Sequence, residues 1–138
     1  VVIAPNNDPG SDAIRARIKA LPARFRVLPS MRFSHFSEMM KHAACLIGNS
    51  SAGVREAPFI GLPSLDIGSR QTARSDSGWP TTVSPFDHKA ITAFLESWWG
   101  QKRTPDTQFG TGQSAARFVE VIRSPDFWNR PLQKTFHD

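Results

Sequence analysis

Two adjacent hydroxyl side chains, those of Ser50 and Ser51, follow a short apolar run that ends at Gly48. Small residues after a buried strand can open a helix, whose first turn offers unpaired N–H groups and the positive end of its dipole. Phosphate groups bind at such helix starts, and Gly53 would let a ligand come close to the backbone. The same serines can also cap the helix without any ligand. The segment therefore predicts either a phosphate cradle or an ordinary N-cap.

An acidic side chain, Glu56, lies within the first turns of the same predicted helix. A carboxylate there can accept two hydrogen bonds from a ribose diol while the helix start holds the phosphates. It can equally act as a favourable charge near the positive end of the helix dipole, or pair with Arg55. Both interpretations of Glu56 stay open on the residues alone.

Two arginines, Arg70 and Arg74, stand in the loop after the next predicted strand. The guanidinium fork bonds pairs of diphosphate oxygens, so these side chains could serve the same crevice. The alternative is a pair of surface arginines on a mobile loop. The sequence contains neither a GxxxxGK[ST] nor a GxGxxG pattern, which excludes a P-loop and a dinucleotide-binding fingerprint.

Predicted strands and helices alternate along the chain. The strands cover 1–4, 25–28, 45–47, 64–67 and 81–83. The helices cover 11–21 (capped by Ser11 or Asp12), 34–44, 51–57 (stopped by Pro58), 87–99 and 113–123, with a short one within 124–130. A polar loop covers 68–80, and the aromatic side chains expected to pack back onto the domain are Phe127, Trp128 and Phe136.

This alternation predicts βαβ units, whose right-handed crossovers place helices on both faces of a parallel sheet. The expected fold class is α/β, a Rossmann-like domain built on one parallel sheet. Ligands of open α/β sheets bind outside the carboxyl ends of the strands. Since the segments that carry Ser50 and Arg70 both follow strands, they are expected to border one crevice.

The chain has 138 residues and a formal net charge of +5, with basic residues scattered rather than in blocks. This pattern favours a basic surface or a phosphate-bearing ligand over a nucleic-acid partner. No apolar run approaches the roughly 20 residues that span a bilayer, so no membrane partner is expected. The single Cys45 indicates a core residue of a cytoplasmic protein, and the strand-like start at Val1 indicates a fragment. His35 and His42 are expected at the surface.

Five segments together point to a family. They are 5–10 (PNNDPG), 29–33 (PSMRF), 48–56 (GNSSAGVRE), 66–71 (DIGSRQ) and 109–115 (FGTGQSA). In this order and spacing they resemble the hydrolysing UDP-N-acetylglucosamine 2-epimerases of sialic-acid and related sugar pathways. The resemblance covers nearly the whole chain.

The resemblance implies a two-domain, glycosyltransferase-B-like fold with UDP in the cleft. Residues 1–138 would then be the C-terminal UDP-binding domain, without its opening strand and without the N-terminal domain. The diphosphate would be held by Ser50, Ser51 and Gly53 and the ribose by Glu56.

Three further positions follow from the same resemblance. Arg70 would lie near the phosphates, with Arg74 in reach of the same crevice. The uracil would meet the backbone of Met31 and the side chain of Phe36, although Phe36 also suits a core position on its helix.

The implied reaction is anti elimination of UDP across C1–C2 of the sugar, which leaves a 2-acetamidoglucal, and then addition of water to give N-acetylmannosamine. The family carries its proton-transferring groups in the preceding half or just upstream of Val1. No catalytic residue is therefore assigned here, and the isolated chain is expected to be inactive. A UDP-sugar substrate, a homo-oligomeric full-length protein, and neither a cofactor nor a metal are expected.

Three alternatives remain on the sequence. The first is a related epimerase that acts on a diacetamido nucleotide sugar. The second is a glycosyltransferase donor domain, which also places a glutamate on ribose beside a phosphate-binding helix. The third, and least favoured, is a basic nucleic-acid-binding module.

Overall fold

The structure is a computed structural model that describes residues 1–131 and residue 133. The strands are β1 (Val2–Ile3), β2 (Val27–Leu28), β3 (Leu46–Gly48), β4 (Ser64–Ile67) and β5 (Thr81–Val83). The helices are α1 (Ser11–Lys19), α2 (Phe33–His42), α3 (Glu56–Phe59), α4 (His88–Trp98), α5 (Ser114–Arg123) and α6 (Pro125–Trp128). A 3₁₀ turn, Ser51–Gly53, precedes α3.

All strand pairs are parallel, and the strands are flanked by helices, so the predicted α/β class is confirmed. The prediction of a single sheet is wrong for the described residues. They form a two-stranded sheet, β1–β2, and a three-stranded sheet in the order β3–β4–β5. No ladder joins β1 to β3 within this part of the chain, so each of these strands keeps an open edge.

The carboxyl ends of the two sheets are tied together by an ion pair. Arg70, after β4, donates from Nη2 to Oδ2 of Asp8, after β1, at 3.3 Å. Both side chains are more than half exposed, so the pair contributes little free energy, in the range of about 0–1 kcal/mol. The contact shows that the loops that follow β1 and β4 lie on the same side of the molecule.

The core lies beneath the segment that carries the two serines. Met40 of α2 packs with Ala52, Ala57 and Leu62, all of them buried. Burial of side chains as large as Met40 and Leu62 stabilises the fold by about 1.5–3 kcal/mol each. The turn after β3 is thereby anchored through Ala52 to α2 and through Leu62 to the start of β4.

The predicted helix 51–57 is wrong in form. Residues 51–53 make a 3₁₀ turn, in which Ser50 and Ser51 carbonyls accept hydrogen bonds three residues ahead, from Gly53 and Val54. A separate helix, α3, then begins at Glu56 and contains Pro58 instead of ending before it. Proline is tolerated there because the first-turn N–H groups of a helix need no partner inside the helix.

The predicted cap of α1 is also wrong. Gly10 precedes the helix with a φ of 85°, a left-handed conformation that glycine adopts without steric cost. Ser11 is the first helical residue and is buried, and no side-chain hydrogen bond caps the helix. The tight turn of the backbone at Gly10 thus sets the start of α1.

The expectation that Phe127 and Trp128 pack back onto the domain is wrong, because both side chains stay exposed. Phe127 is 37% exposed and Trp128 is 70% exposed. Their rings meet each other edge to face at 5.1 Å, and the Trp128 indole N–H donates to the Ile122 carbonyl at 2.7 Å. Phe136, the third residue of this prediction, lies outside the described residues. The α5–α6 segment is therefore held by local contacts, and α5 buries none of its residues.

A stacked arginine fixes the segment that follows α4. The Arg103 guanidinium lies 3.7 Å from the ring centroid of Trp79 and 4.7 Å from that of Trp98. The Arg103 N–H donates to the Gly61 carbonyl at 3.0 Å, and a side chain at position 61 would collide with the Arg103 carbonyl oxygen. Glycine, which also adopts a φ of 68° there, is thus required at position 61.

Within the described residues, none of the helices has the length and apolar character needed to cross a membrane.

Candidate functional site

The carboxyl ends of β3 and β4 lie side by side at the point where the predicted site was placed. The two strands pair in parallel, with Leu46 opposite Ser64 and Gly48 opposite Asp66. The segment with the two serines leaves β3 at this edge, and the arginine loop leaves β4 at the same edge. The structure therefore brings the two predicted segments together, as the topology of parallel strands requires.

The serine turn, as we call residues 50–53, holds its own shape. Ser50 caps it, since the Ser50 hydroxyl accepts from the Ala52 N–H at 3.3 Å. The Gly53 N–H is also bonded, to the Ser50 carbonyl at 3.0 Å. Ser51 begins the 3₁₀ turn and is exposed. Part of the expected set of unpaired N–H groups is therefore already bonded, and Ser51 is the residue of the turn most available to a ligand.

Gly53 serves the packing of the turn onto β4. Its carbonyl accepts from the buried Ser64 hydroxyl at 2.8 Å. A Cβ at position 53 would meet the Ser64 Cβ at 3.6 Å, an ordinary contact distance. Packing against β4 therefore leaves room for a Cβ at position 53, and an approach of a ligand to the Gly53 backbone stays a prediction.

A small cavity of about 20 Å³ lies under the serine turn, walled by Gly48, Ser50, Gly53 and Asp66 among others. Asp66 is only 3% exposed, and both of its carboxylate oxygens are buried without a hydrogen-bond partner among the described residues. Burial raises the pKa of the Asp66 carboxyl above its ordinary value, because the charged form loses hydration. The charged form of the Asp66 carboxyl is therefore less favourable here than in water.

A glutamine joins the arginine loop to the serine turn. Gln71 is buried, and its amide Nε2 donates to the Asn49 carbonyl at 2.7 Å. Asn49 is the residue directly before Ser50, so this bond fixes where the turn begins. The Gln71 amide oxygen is buried and has no partner among the described residues.

Glu56 lines a different concavity from Ser50. It is the half-buried first residue of α3 and borders a groove of about 530 Å³ between α2 and α3. The groove also contains Phe33 of α2, and Arg55 lies on its wall, 5.9 Å from the Phe109 ring centroid. Among the described residues Arg55 makes no ion pair with Glu56. Ser50 and Glu56 therefore share one segment of chain but line separate cavities, Ser51 lines neither of the two, and a joint role of the three residues stays a prediction.

The two arginines are exposed at the rim. Arg70 is held by Asp8, as described above, and it does not line the small cavity. The Arg74 N–H donates to the Gln71 carbonyl at 3.3 Å. Both side chains stand on the loop at the carboxyl edge of β4, and a contact of either with phosphate stays a prediction.

The two residues expected near uracil are placed differently from each other. Met31 is half-buried and lies two residues before α2. Phe36 packs against the core that contains Met40 and Leu62, which is the alternative that its helical spacing offered. A contact of either residue with a base stays a prediction.

Two residues of this site were missed by the analysis of the sequence, Asp66 and Gln71. A signal for Asp66 was present, since aspartate is depleted in strands and stands here between the apolar residues Leu65 and Ile67. No local signal marked Gln71, because its role depends on a carbonyl 22 residues away in the chain.

Comparison with known proteins decides the family. The family model of UDP-N-acetylglucosamine 2-epimerase matches residues 1–123 of the chain. The chain belongs to this family. The predicted resemblance is thus confirmed, and the matched range includes every residue proposed for the site.

Three relatives show how far the similarity extends. A UDP-N-acetylglucosamine 2-epimerase of Neisseria meningitidis serogroup B is 39% identical over 143 residues, which cover 100% of this chain and 38% of that protein. A polysialic acid biosynthesis protein P7 of Escherichia coli is 38% identical over 76 residues, 54% of this chain and 19% of its own length. A hydrolysing UDP-N,N'-diacetylbacillosamine 2-epimerase of Legionella pneumophila is 24% identical over 136 residues, 97% of this chain and 36% of its own. The chain spans less than two fifths of the length of these relatives.

Proposed function

We propose that the protein carrying this chain is a hydrolysing UDP-N-acetylglucosamine 2-epimerase and that this chain supplies its nucleotide-diphosphate site. The observation that carries the proposal is the serine turn at the carboxyl edge of β3, within a chain whose family model matches residues 1–123. Ligands of open parallel sheets bind at this edge. The exposed Ser51 hydroxyl supplies a hydrogen-bond donor there.

In the proposed reaction a base removes the proton from C2 of the sugar while the C1–O bond breaks and UDP leaves. Water then adds across the resulting double bond, with hydroxyl at C1 and a proton at C2, and N-acetylmannosamine is released. The leaving diphosphate gains negative charge as the C1–O bond breaks. Hydrogen-bond donors preset around it therefore stabilise the transition state more than the bound substrate.

In this proposal different residues of this chain bind different parts of the nucleotide. Ser50, Ser51 and Gly53 hold the diphosphate, and Arg70 lies near it on the loop after β4. The carboxylate of Glu56 accepts from the ribose hydroxyls. The groups that move the protons belong to another part of the protein, so this chain alone is inactive.

We further propose that this chain is the C-terminal half of a two-domain, glycosyltransferase-B-like enzyme. The alignment with the Neisseria relative covers the C-terminal part of that protein, which supports this arrangement. The open edges of β1 and β3 support it too, since a further parallel strand paired with either one would satisfy its free backbone groups. The predicted cytoplasmic location and homo-oligomeric state belong to the same proposal.

Identity favours the N-acetylglucosamine substrate over a diacetamido sugar. The relative named for UDP-N-acetylglucosamine is 39% identical over the whole chain, and the one named for UDP-N,N'-diacetylbacillosamine is 24% identical over 97% of it. The diacetamido sugar stays the second candidate, and turnover of the two nucleotide sugars by the purified protein separates them.

Calorimetric titration of the protein with UDP tests the site. Removal of one partner of a hydrogen bond to a charged group costs about 1–3 kcal/mol, so Ser51→Ala and Glu56→Ala should each weaken UDP binding by that amount. The matched controls are Ser97→Ala and Glu96→Ala, which make the same changes at exposed positions of α4. Unchanged UDP affinity in both site variants would overturn the assignment.

A further inference from the structure

The inference concerns Asp66, the buried acid under the serine turn, and it rests on the proposed function. Alternate residues of a strand face the same side of a sheet, so Asp66 and Ser64 point the same way. The Ser64 hydroxyl donates to the Gly53 carbonyl at 2.8 Å, which identifies that side as the one that carries the turn. Asp66 stands one step closer to the carboxyl end of β4, opposite Gly48. Its carboxyl therefore lies directly beneath the start of the serine turn.

The cavity next to this carboxyl has room for one atom-sized group. Its volume is about 20 Å³, and a single water needs a space of about 10–15 Å³ measured in the same way. A complete phosphate is too large for this volume, whereas a single oxygen atom is not. Ser50 and Asp66 are among the residues that line this space, and both Asp66 carboxylate oxygens are buried without a hydrogen-bond partner among the described residues.

An ionised carboxylate is unfavourable at this position. With 3% exposure and no donor among the described residues, the charge would have neither hydration nor a hydrogen bond. The strands and the turn around Asp66, Leu46–Gly48, Thr81–Val83 and Ser51–Gly53, contain no ionisable side chain. The ionisable groups that flank them in the chain are Cys45, Arg55, Glu56 and Arg70, and burial alone accounts for the raised pKa of Asp66.

We propose that the Asp66 carboxyl is protonated in the nucleotide complex and donates its proton in a hydrogen bond to an oxygen of the bound diphosphate. A negatively charged phosphate oxygen and an ionised carboxylate would repel each other. The neutral carboxylic acid carries an O–H group and can donate a hydrogen bond to that oxygen. When Asp66 is ionised before binding, the complex takes up one proton from solvent. The protonation state of Asp66 then depends on whether the negatively charged diphosphate is bound.

Proton uptake on binding is the direct readout, because a merely structural carboxyl would not produce it. Calorimetry of UDP binding is performed between pH 8 and 9, where the terminal phosphate of UDP, with a pKa of about 6, is almost completely ionised. The titration is repeated in buffers of different ionisation enthalpy, which yields the number of protons taken up. Wild-type protein is expected to take up as much as one proton per UDP, and its affinity to fall by up to tenfold per pH unit.

Two substitutions at Asp66 separate the proposed role from simple packing. Asp66→Asn retains a donor of the same size, so UDP should bind with an affinity within about threefold of wild type at pH 7 but without the proton uptake due to this carboxyl. Asp66→Ala removes the donor and should weaken binding about tenfold. Asp126→Asn, the same change at an exposed carboxylate of α6, should behave as wild type.

Each outcome decides the matter. UDP binding with identical proton uptake in wild-type protein and Asp66→Asn would overturn the role of Asp66 and leave the serine turn as the nucleotide site. A tenfold loss in Asp66→Asn as well as in Asp66→Ala would also overturn it, because an amide donor should replace the acid. Failure of wild-type protein to bind UDP would overturn both proposals.

Discussion

The hydrogen bond between Ser64 and Gly53 makes the stability of the serine turn a testable quantity. Ser64 is 1% exposed, and its hydroxyl donates to the buried Gly53 carbonyl at 2.8 Å. Ser64→Ala would leave that carbonyl without a partner and with no access to water. A buried acceptor left unsatisfied costs about 1–3 kcal/mol, so the free energy of unfolding should fall by that amount.

Urea unfolding of the wild-type and Ser64→Ala proteins measures this loss as a lower midpoint at an unchanged slope. In thermal unfolding, 1 kcal/mol corresponds to about 2–4 °C for a chain of 150–250 residues, so a decrease of several degrees is expected. Ser97→Ala, at an exposed position of α4, should stay within about 0.5 kcal/mol of wild type. Equal stability of the two serine variants would refute the claim that this bond anchors the turn to β4.

Three further predictions concern Arg103, Gln71 and Asp66. Arg103→Ala removes two stacks on tryptophan rings and should lower the unfolding free energy by about 1–3 kcal/mol in urea titrations, with a smaller loss for Arg103→Lys. Gln71→Ala breaks the 2.7 Å bond to the Asn49 carbonyl and should weaken UDP binding, measured by calorimetry, by about two- to tenfold. Asp66→Asn should stabilise the protein against urea at pH 8 but not at pH 3. Burial raises the folded-state pKa of this acid, so the wild type loses stability as the pH rises above the ordinary value of about 3.9.

The strands with clear borders were predicted well from the sequence. The bounds of β4 and β5, 64–67 and 81–83, are those of the structure. Each is a short run of strand-forming residues between turn-forming ones, so local composition specifies it. The strand before the serine turn was displaced by one residue, because Gly48 still pairs with β4 although glycine usually marks a strand end.

Features that depend on distant partners were not predictable in this way. The prediction of a single sheet was wrong because no described strand pairs with the open edges of β1 and β3, and the sequence of a strand does not specify its partner. Phe127 and Trp128 were expected to pack back onto the domain, but both stay exposed, and their rings contact each other. The turn at 51–53 was predicted as α-helix since its residues allow either form, and the hydrogen bond from Ser64 to Gly53 decides its packing.

The sequence predicted the relative position of the candidate segments through the topology of the sheet. Ser51 and Arg70 were expected at one edge of a parallel sheet, and both do stand at the carboxyl edge of β3 and β4. The separation of Glu56 into the groove between α2 and α3 could not be foreseen, because it depends on the break between the 3₁₀ turn and α3. The unpartnered state of Asp66 is likewise a fact of three-dimensional packing.

A crystal structure of the protein with UDP bound tests the central claim most directly. We expect diphosphate oxygens within hydrogen-bond distance of the Ser51 hydroxyl, with one of them directed toward the Asp66 carboxyl. A nucleotide bound at another part of the protein, with residues 50–53 making no contact with it, would contradict the account.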